Sequence, residues 1–192
     1  MNYLIKAFIV ILVLISSYAA AFDKGDLCRG SVVKVSDGDT VHFLCEGTDT
    51  KIKVRLAEID TPETSKSNKK CFGQPFAQAA KRLLADRVNE KSLTLEVTDI
   101  DRYGRAVGQL FDSKGSVNHY MVKMGLAYHY KAYSSDATLT QYELTSRSNK
   151  QGLWANGQAC RIKPWEWRRL SKEERCESQE QLRTQSCLGL VH

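Results

Sequence analysis

Apolar positions in this chain recur first at every second residue and later at helical spacing, and each change of period marks an element. Residues 30–36 and 40–45 are short β-branched and aromatic runs around Asp37-Gly38. Asp-Gly between such runs predicts a hairpin, because glycine tolerates the positive φ that primed turns require. From Lys51 to Leu56 the pattern alternates, with Ile52, Val54 and Leu56 on one face and Pro62 ending the pairing just beyond. The polar, lysine-rich stretch from Thr64 to Gly73 reads as a mobile loop. Pro75 suits the first turn of a helix whose apolar positions are Phe76, Ala79, Ala80, Leu83, Leu84 and Val88. Leu93, Leu95 and Val97 alternate again, and Ala106 to Phe111 reads as a fifth strand that turns at Asp112 to Gly115.

Val117, Tyr120, Met121 and Met124 predict a short second helix closed by Gly125. A third helix runs from an Asp136 N-cap towards Gly152, with a thin stripe of Leu139, Tyr142 and Ser146, and Trp154 docks its end into the core. Five short strands and three helices make an α+β fold. They suit a five-stranded Greek-key barrel of the OB type, although the pattern fits other α+β sheets as well.

The first residues read differently. Lys6 precedes an apolar run from Ala7 to Ile15, then Ser16-Ser17 and Ala19-Ala20-Ala21, the layout of a secretory signal peptide. The run falls short of the roughly 20 residues that span a bilayer. No cysteine follows it to carry a lipid, so no stable membrane association is expected after cleavage beyond Ala21. The chain then divides into a signal at 1–21, a barrel domain at 22–158 and a basic, cysteine-containing C-terminal extension at 159–192. The exported protein is expected in a periplasm or outside the cell, as a monomer.

Six cysteines in an oxidising compartment imply disulfides. Cys28 and Cys45 flank the first hairpin and could bridge its strands, while the Cys176/Cys187 spacing invites a local loop in the tail. With no C-x-x-C pair, a zinc ribbon or thioredoxin-like site is not indicated. The net charge of +6, lowered by one when Lys6 leaves with the signal, favours polyanions.

Chemistry concentrates in three segments: Asp37-Gly38-Asp39-Thr40, Arg55 to Glu63 with Asp60-Thr61-Pro62 inside it, and Asp101-Arg102-Tyr103-Gly104-Arg105. A phosphodiester resists water because its anionic oxygens repel nucleophiles and its alkoxide leaves poorly. A metal ion counters both difficulties. Asp39 and Asp60, with the Thr61 carbonyl, are oxygen donors suited to Ca²⁺ or Mg²⁺ rather than zinc. Arg55, inside a strand, either pairs with Asp60 or Glu63 or offers its planar fork to a phosphate. Arg105 follows a Tyr-Gly turn that projects side chains into a cleft. Glu63 could orient or deprotonate a water. Arg102 and Tyr103 could meet the nucleotide by stacking or by a phosphate contact, and Tyr133 is the cleft candidate among the tyrosines after the second helix. Lys66, Lys69 and Lys70 read as a phosphate rail or a solvated loop. The four histidines, His42, His119, His129 and His192, form no recognisable pair.

Ser36 to Val41, Val54 to Glu63 and Asp101 to Arg105, with weaker support from Val117-Asn118, Gly125-Leu126-Ala127 and Gly152-Leu153-Trp154, resemble the staphylococcal (micrococcal) nuclease family over roughly residues 30 to 154. The resemblance implies an OB-type barrel with three helices and Ca²⁺-dependent hydrolysis of DNA and RNA that leaves 3′-phosphate ends, with one ion bound. It implies Asp39, Asp60 and Thr61 as metal ligands, Arg55, Glu63 and Arg105 as catalytic residues, and Arg102 and Tyr103 as nucleotide contacts. Single-stranded substrates are the expected preference. The rival readings are a non-catalytic nucleic-acid-binding barrel, whose degenerate members lose these acids and arginines, and a disulfide-stapled secreted interaction protein. The cysteines and the tail beyond Cys160 lie outside the minimal family pattern.

Overall fold

The computed structural model describes residues 22–65, 73–89, 91–155 and 161–184. In chain order the strands are β1 (Leu27–Asp37), β2 (Thr40–Cys45), β3 (Lys51–Leu56), β4 (Ile59–Asp60), β5 (Leu93–Ile100), β6 (Ala106–Asp112), β7 (Gly115–Ser116) and β8 (Tyr128–His129). The helices are α1 (Ala77–Val88), α2 (Val117–Lys123), α3 (Ala137–Ser148), α4 (Pro164–Trp167) and α5 (Lys172–Thr184), with a 3₁₀ turn at Gly152–Trp154. Antiparallel pairing runs β3-β2-β1-β5-β6, and a parallel pairing of β3 with β6 closes the ring. This is the five-stranded closed barrel of the OB type that the strand count suggests.

Alternation fills the barrel. Val41, Phe43, Val54, Leu56, Leu93, Leu95, Val97, Ala106 and Leu110 face inward and are buried. Long β1 serves two neighbours because bulges between Val32 and Lys34 and between Val35 and Asp37 bend it. The first hairpin is tightened further by a Cys28–Cys45 disulfide. Its turn departs from the expectation of a primed type, since Gly38 takes no positive φ. Glycine is required there for room instead: a Cβ on Gly38 would lie 2.8 Å from both Ala80 Cβ and Thr61 Oγ1.

Helix α1 covers one end of the barrel with Ala77, Ala80, Leu84 and Val88. It begins at Ala77, leaving Pro75 and Phe76 outside, because Phe76 is held in a left-handed conformation (φ 65°). Helix α2 ends at Lys123 with Met124 as its cap, and Gly125 (φ 69°) turns the chain as expected. The thin stripe on α3 has a cause. Its buried face carries Glu143 and Ser146 beside Leu139, and Glu143 accepts the His129 backbone N–H and pairs with Arg147. Trp154 is buried against Tyr128.

The described part of the C-terminal extension, residues 161–184, folds back onto the domain. Pro164 and Trp167 of α4 are buried, and Trp165 stacks on Tyr130 with rings 5.0 Å apart and 6° from parallel. Cys176 of α5 is disulfide-bonded. Its expected partner Cys187 lies outside the described residues, as do Cys71, Cys160, Lys66, Lys69, Lys70 and the 1–21 segment. Among the described residues no helix is long and apolar enough to cross a membrane.

The Asp136 carboxylate accepts the N–H groups of Thr138 and Leu139 and a contact from His119 Nε2 at 2.9 Å. Burial works against the charge, but these hydrogen bonds and His119 together hold its pKa below the usual range. Asp136→Ala is expected to cost about 1 kcal/mol in denaturant unfolding at neutral pH. A depressed carboxylate stabilises above its unfolded pKa, so the difference should shrink as pH falls through the acid range.

Candidate functional site

Three chain segments meet at one rim of the barrel. The β1–β2 turn delivers Asp39, whose carbonyl accepts the Leu56 N–H at 2.8 Å and so locks the turn to the end of β3. The bend after β3 delivers Asp60, Thr61 and Glu63. Buried Asn118 of α2 fixes that bend: its amide donates to the carbonyls of Ala57 and Gly108, and its side-chain oxygen accepts the Leu110 N–H. β4 pairs with β8, with Asp60 opposite Tyr128. Beyond it, the Glu63 N–H donates to Gln74 Oε1 and its carbonyl accepts the Gln74 N–H, both at 2.9 Å.

The side chains of Asp39, Arg55, Asp60 and Glu63 are joined in one network. Arg55 sends Nη1 to Asp39 Oδ1 (3.3 Å) and Nη2 to Asp60 Oδ1 (2.8 Å). Asp39 also accepts the Thr61 N–H on Oδ2 (3.1 Å) and the Thr40 hydroxyl on Oδ1 (3.0 Å). Both readings of Arg55 thus bear on the same atoms: its fork is an ion pair in the free protein, at a place a phosphate could reach.

A residue that the sequence patterns did not single out completes the network. Arg168, just past α4, sends Nη2 to Asp60 Oδ2 (2.6 Å) and Nη1 to Asp60 Oδ1 (3.0 Å) and Glu63 Oε1 (2.6 Å). Its only local signal was an arginine-tryptophan cluster in a basic tail.

Arg105 stands differently. On parallel neighbours β3 and β6, Arg55 lies opposite Val107, so alternation places Arg105 on the same outer face as Arg55. Its guanidinium, however, pairs with Asp101 Oδ2 at 2.7 Å and lies 5.6 Å from the Tyr103 ring centroid. No ion pair among the described residues joins it to the Asp39–Asp60 network. Arg102 packs over Tyr103 and donates to its hydroxyl. Tyr103 and Tyr133 are 69% and 75% exposed, so both rings are open to a stacking partner. Tyr133 rests on Tyr130, which in turn carries Trp165.

The electrostatics follow from crowding. Asp60 is fully buried (0% exposed), and burial raises its pKa in spite of Arg168 and Arg55. Asp37 is pushed up to about 6, first by burial and then by Asp39. Burial disfavours the Arg55 charge, yet Asp39 and Asp60 hold its pKa above the ordinary value. Among the described residues, Asp37, Asp39, Asp60 and Glu63 gather around Arg55 and Arg168, so acids outnumber bases there by two when all are ionised.

That excess and the donor chemistry fit a hard divalent cation. Thr61 adds a buried hydroxyl with no hydrogen-bond partner among the described residues. Among the described residues no three His, Cys, Asp or Glu side chains close into a ready cage. An ion here would rest on two carboxylates and the Thr61 oxygens and would keep several waters, as Mg²⁺ and weakly held Ca²⁺ do.

Residues 53–156 match the model of the family described as staphylococcal nuclease homologue. The chain belongs to the staphylococcal nuclease family. Among relatives, it is 38% identical over 162 residues to an uncharacterized endonuclease of Haemophilus influenzae, covering 84% of each chain. It is 35% identical over 155 residues to a micrococcal nuclease of Shigella flexneri, covering 75% of this chain and 82% of that one. To a probable staphylococcal-like nuclease of Oryza sativa it is 40% identical over 119 residues, 62% of this chain and 33% of that one. The span matched by the staphylococcal nuclease model takes in Arg55, Asp60, Glu63 and Arg105 and stops short of both Asp39 and Arg168.

Arg55→Ala leaves buried Asp39 without its guanidinium and strips one of two from Asp60. In chelator it is expected to lower unfolding free energy by about 3 kcal/mol, whereas Arg105→Ala, at a more open pair, should cost under about 1 kcal/mol. Parallel urea titrations of the two variants check this ordering.

Proposed function

We propose that the protein is an exported, metal-dependent nuclease that hydrolyses phosphodiester bonds in DNA and RNA and leaves 3′-phosphate ends. The observation that carries this reading is the buried Asp39–Arg55–Asp60 network at the rim of an OB barrel in a chain of the staphylococcal nuclease family. Asp39, Asp60 and the Thr61 carbonyl would hold one cation, with Ca²⁺ favoured over Mg²⁺. When bound, such an ion neutralises a phosphate oxygen and acidifies coordinated water.

The chain's own groups do the rest. Arg55 and Arg105 share one face, so their forks can close on non-bridging oxygens of one phosphate and stabilise the charge that builds during attack. Glu63 lies one residue beyond Pro62, where its carboxylate orients a water or takes its proton. Exposed Tyr103 and Tyr133 offer faces to bases without reading their edges, which suits single strands and tolerance of sequence and sugar. The basic charge draws the polyanion in. The Cys28–Cys45 disulfide and the bonded Cys176 support export into an oxidising compartment after cleavage at Ala21, with the mature chain acting as a monomer.

The non-catalytic alternative draws support from Arg168, which occupies Asp60 and Glu63. A digestion assay separates the two readings. The mature protein should degrade single-stranded DNA with added Ca²⁺ and stop on chelation; full activity in chelator would remove the metal from the mechanism. Arg105→Ala should lower turnover by roughly 10²-fold or more with its melting temperature kept, and undiminished activity would take Arg105 out of the site. Substrate affinity should fall steeply between low and physiological salt, because phosphate contacts release counterions.

A further inference from the structure

The C-terminal segment lies beyond the span matched by the family model, yet its Arg168 grips two of the groups that the proposed reaction needs free. Both Asp60 oxygens are engaged, Oδ2 by Arg168 and Oδ1 by Arg168 together with Arg55. The same guanidinium holds Glu63 Oε1 at 2.6 Å. Asp60 is fully buried, and of the two guanidinium groups that cover it Arg168 is the more exposed, at 37% against 20% for Arg55. Two positive groups on one buried carboxylate repel each other with little screening from solvent. The Glu63 oxygen held by the Arg168 guanidinium is likewise not free to meet a water.

The segment that presents Arg168 is built and anchored. The Ile162 carbonyl accepts from Gln74 Nε2, the side chain that also receives the Glu63 N–H. Trp167 and Pro164 are buried, and Trp165 stacks on Tyr130, next to exposed Tyr133. Arg175 of α5 donates to the carbonyls of Trp167 and Arg168, which fixes the backbone under the guanidinium. Gln179 donates to the Gly73 carbonyl across the neighbouring loop. Arg168 itself is 37% exposed, so its head can leave the carboxylates without unfolding the segment.

We propose that Arg168 is an intramolecular competitor of the metal: a tethered cation that fills the seat at Asp60 and restrains Glu63 until a divalent ion displaces it. The tether keeps the guanidinium at high effective concentration, so Asp60 and Glu63 keep a positive partner when the ion is absent. Cation binding is thereby coupled to release of Glu63, and nuclease action is held off where divalent ions are scarce. The inference rests on the metal-site reading of Asp39 and Asp60.

Calorimetric titration of CaCl₂ into the full exported chain and into Arg168→Ala, after removal of metal, tests it. The variant should bind Ca²⁺ at least about fivefold more tightly than the unaltered protein. It should also melt lower in chelator and recover as Ca²⁺ is added. Should Arg168→Ala fail to fold without metal, Arg168→Lys carries the test, because it keeps the charge and loses the two-pronged grip; it too should bind Ca²⁺ more tightly. Equal or weaker affinity in the folded variant overturns the competition and leaves the metal site standing. Absence of Ca²⁺ binding in both proteins overturns the competition and the metal site together.

Discussion

A carboxylate sealed from water must be answered by positive charge, and in this protein that carboxylate is Asp60. Burial alone would drive it to the neutral form; Arg55 and Arg168 are placed where they oppose that drift. Asp39 shares Arg55 with it and lies close enough to repel it. The rim of the barrel is therefore a cluster of acids balanced only in part. Such a cluster is costly for folding and useful for holding a cation.

The fold serves this balance. A five-stranded closed barrel brings the β1–β2 turn, the end of β3 and the start of β6 to one rim, and short β4 and β8 carry Asp60 across it. Close packing of Gly38 against Thr61 and Ala80 brings Asp39 within hydrogen-bonding distance of Thr61. Asn118 serves as a brace: by donating to the Ala57 and Gly108 carbonyls and accepting the Leu110 N–H it ties the bend after β3 to β6. Rigid backbone rather than side-chain freedom sets the positions of the two aspartates.

Much of this could be read from residue patterns, for identifiable reasons. Strands with alternating apolar residues and a helix with six apolar positions at helical spacing announce the barrel and α1, because burial imposes period on sequence. Asp39, Arg55 and Asp60 stand out because acids and an arginine gather in short motifs at turns and strand ends, a grouping that burial alone does not require. Arg168 escapes the same logic: it meets Asp60 from 108 residues away, through a docked segment whose local pattern is merely basic and aromatic. Glu143 escapes it too, since a buried glutamate on a weakly apolar helix looks like a solvated face until Arg147 and His129 are placed beside it. The Asp-Gly signal found the hairpin but for another reason, as Gly38 supplies space rather than a positive φ.

The direct measurement is anomalous diffraction from a crystal of the mature protein soaked in Ca²⁺. If a divalent ion and Arg168 exchange places on one buried acid, a single strong peak will lie in contact with the Asp39 and Asp60 carboxylates, and the Arg168 guanidinium will have left Asp60. A peak elsewhere, or a guanidinium still seated on Asp60 at saturating Ca²⁺, would contradict it.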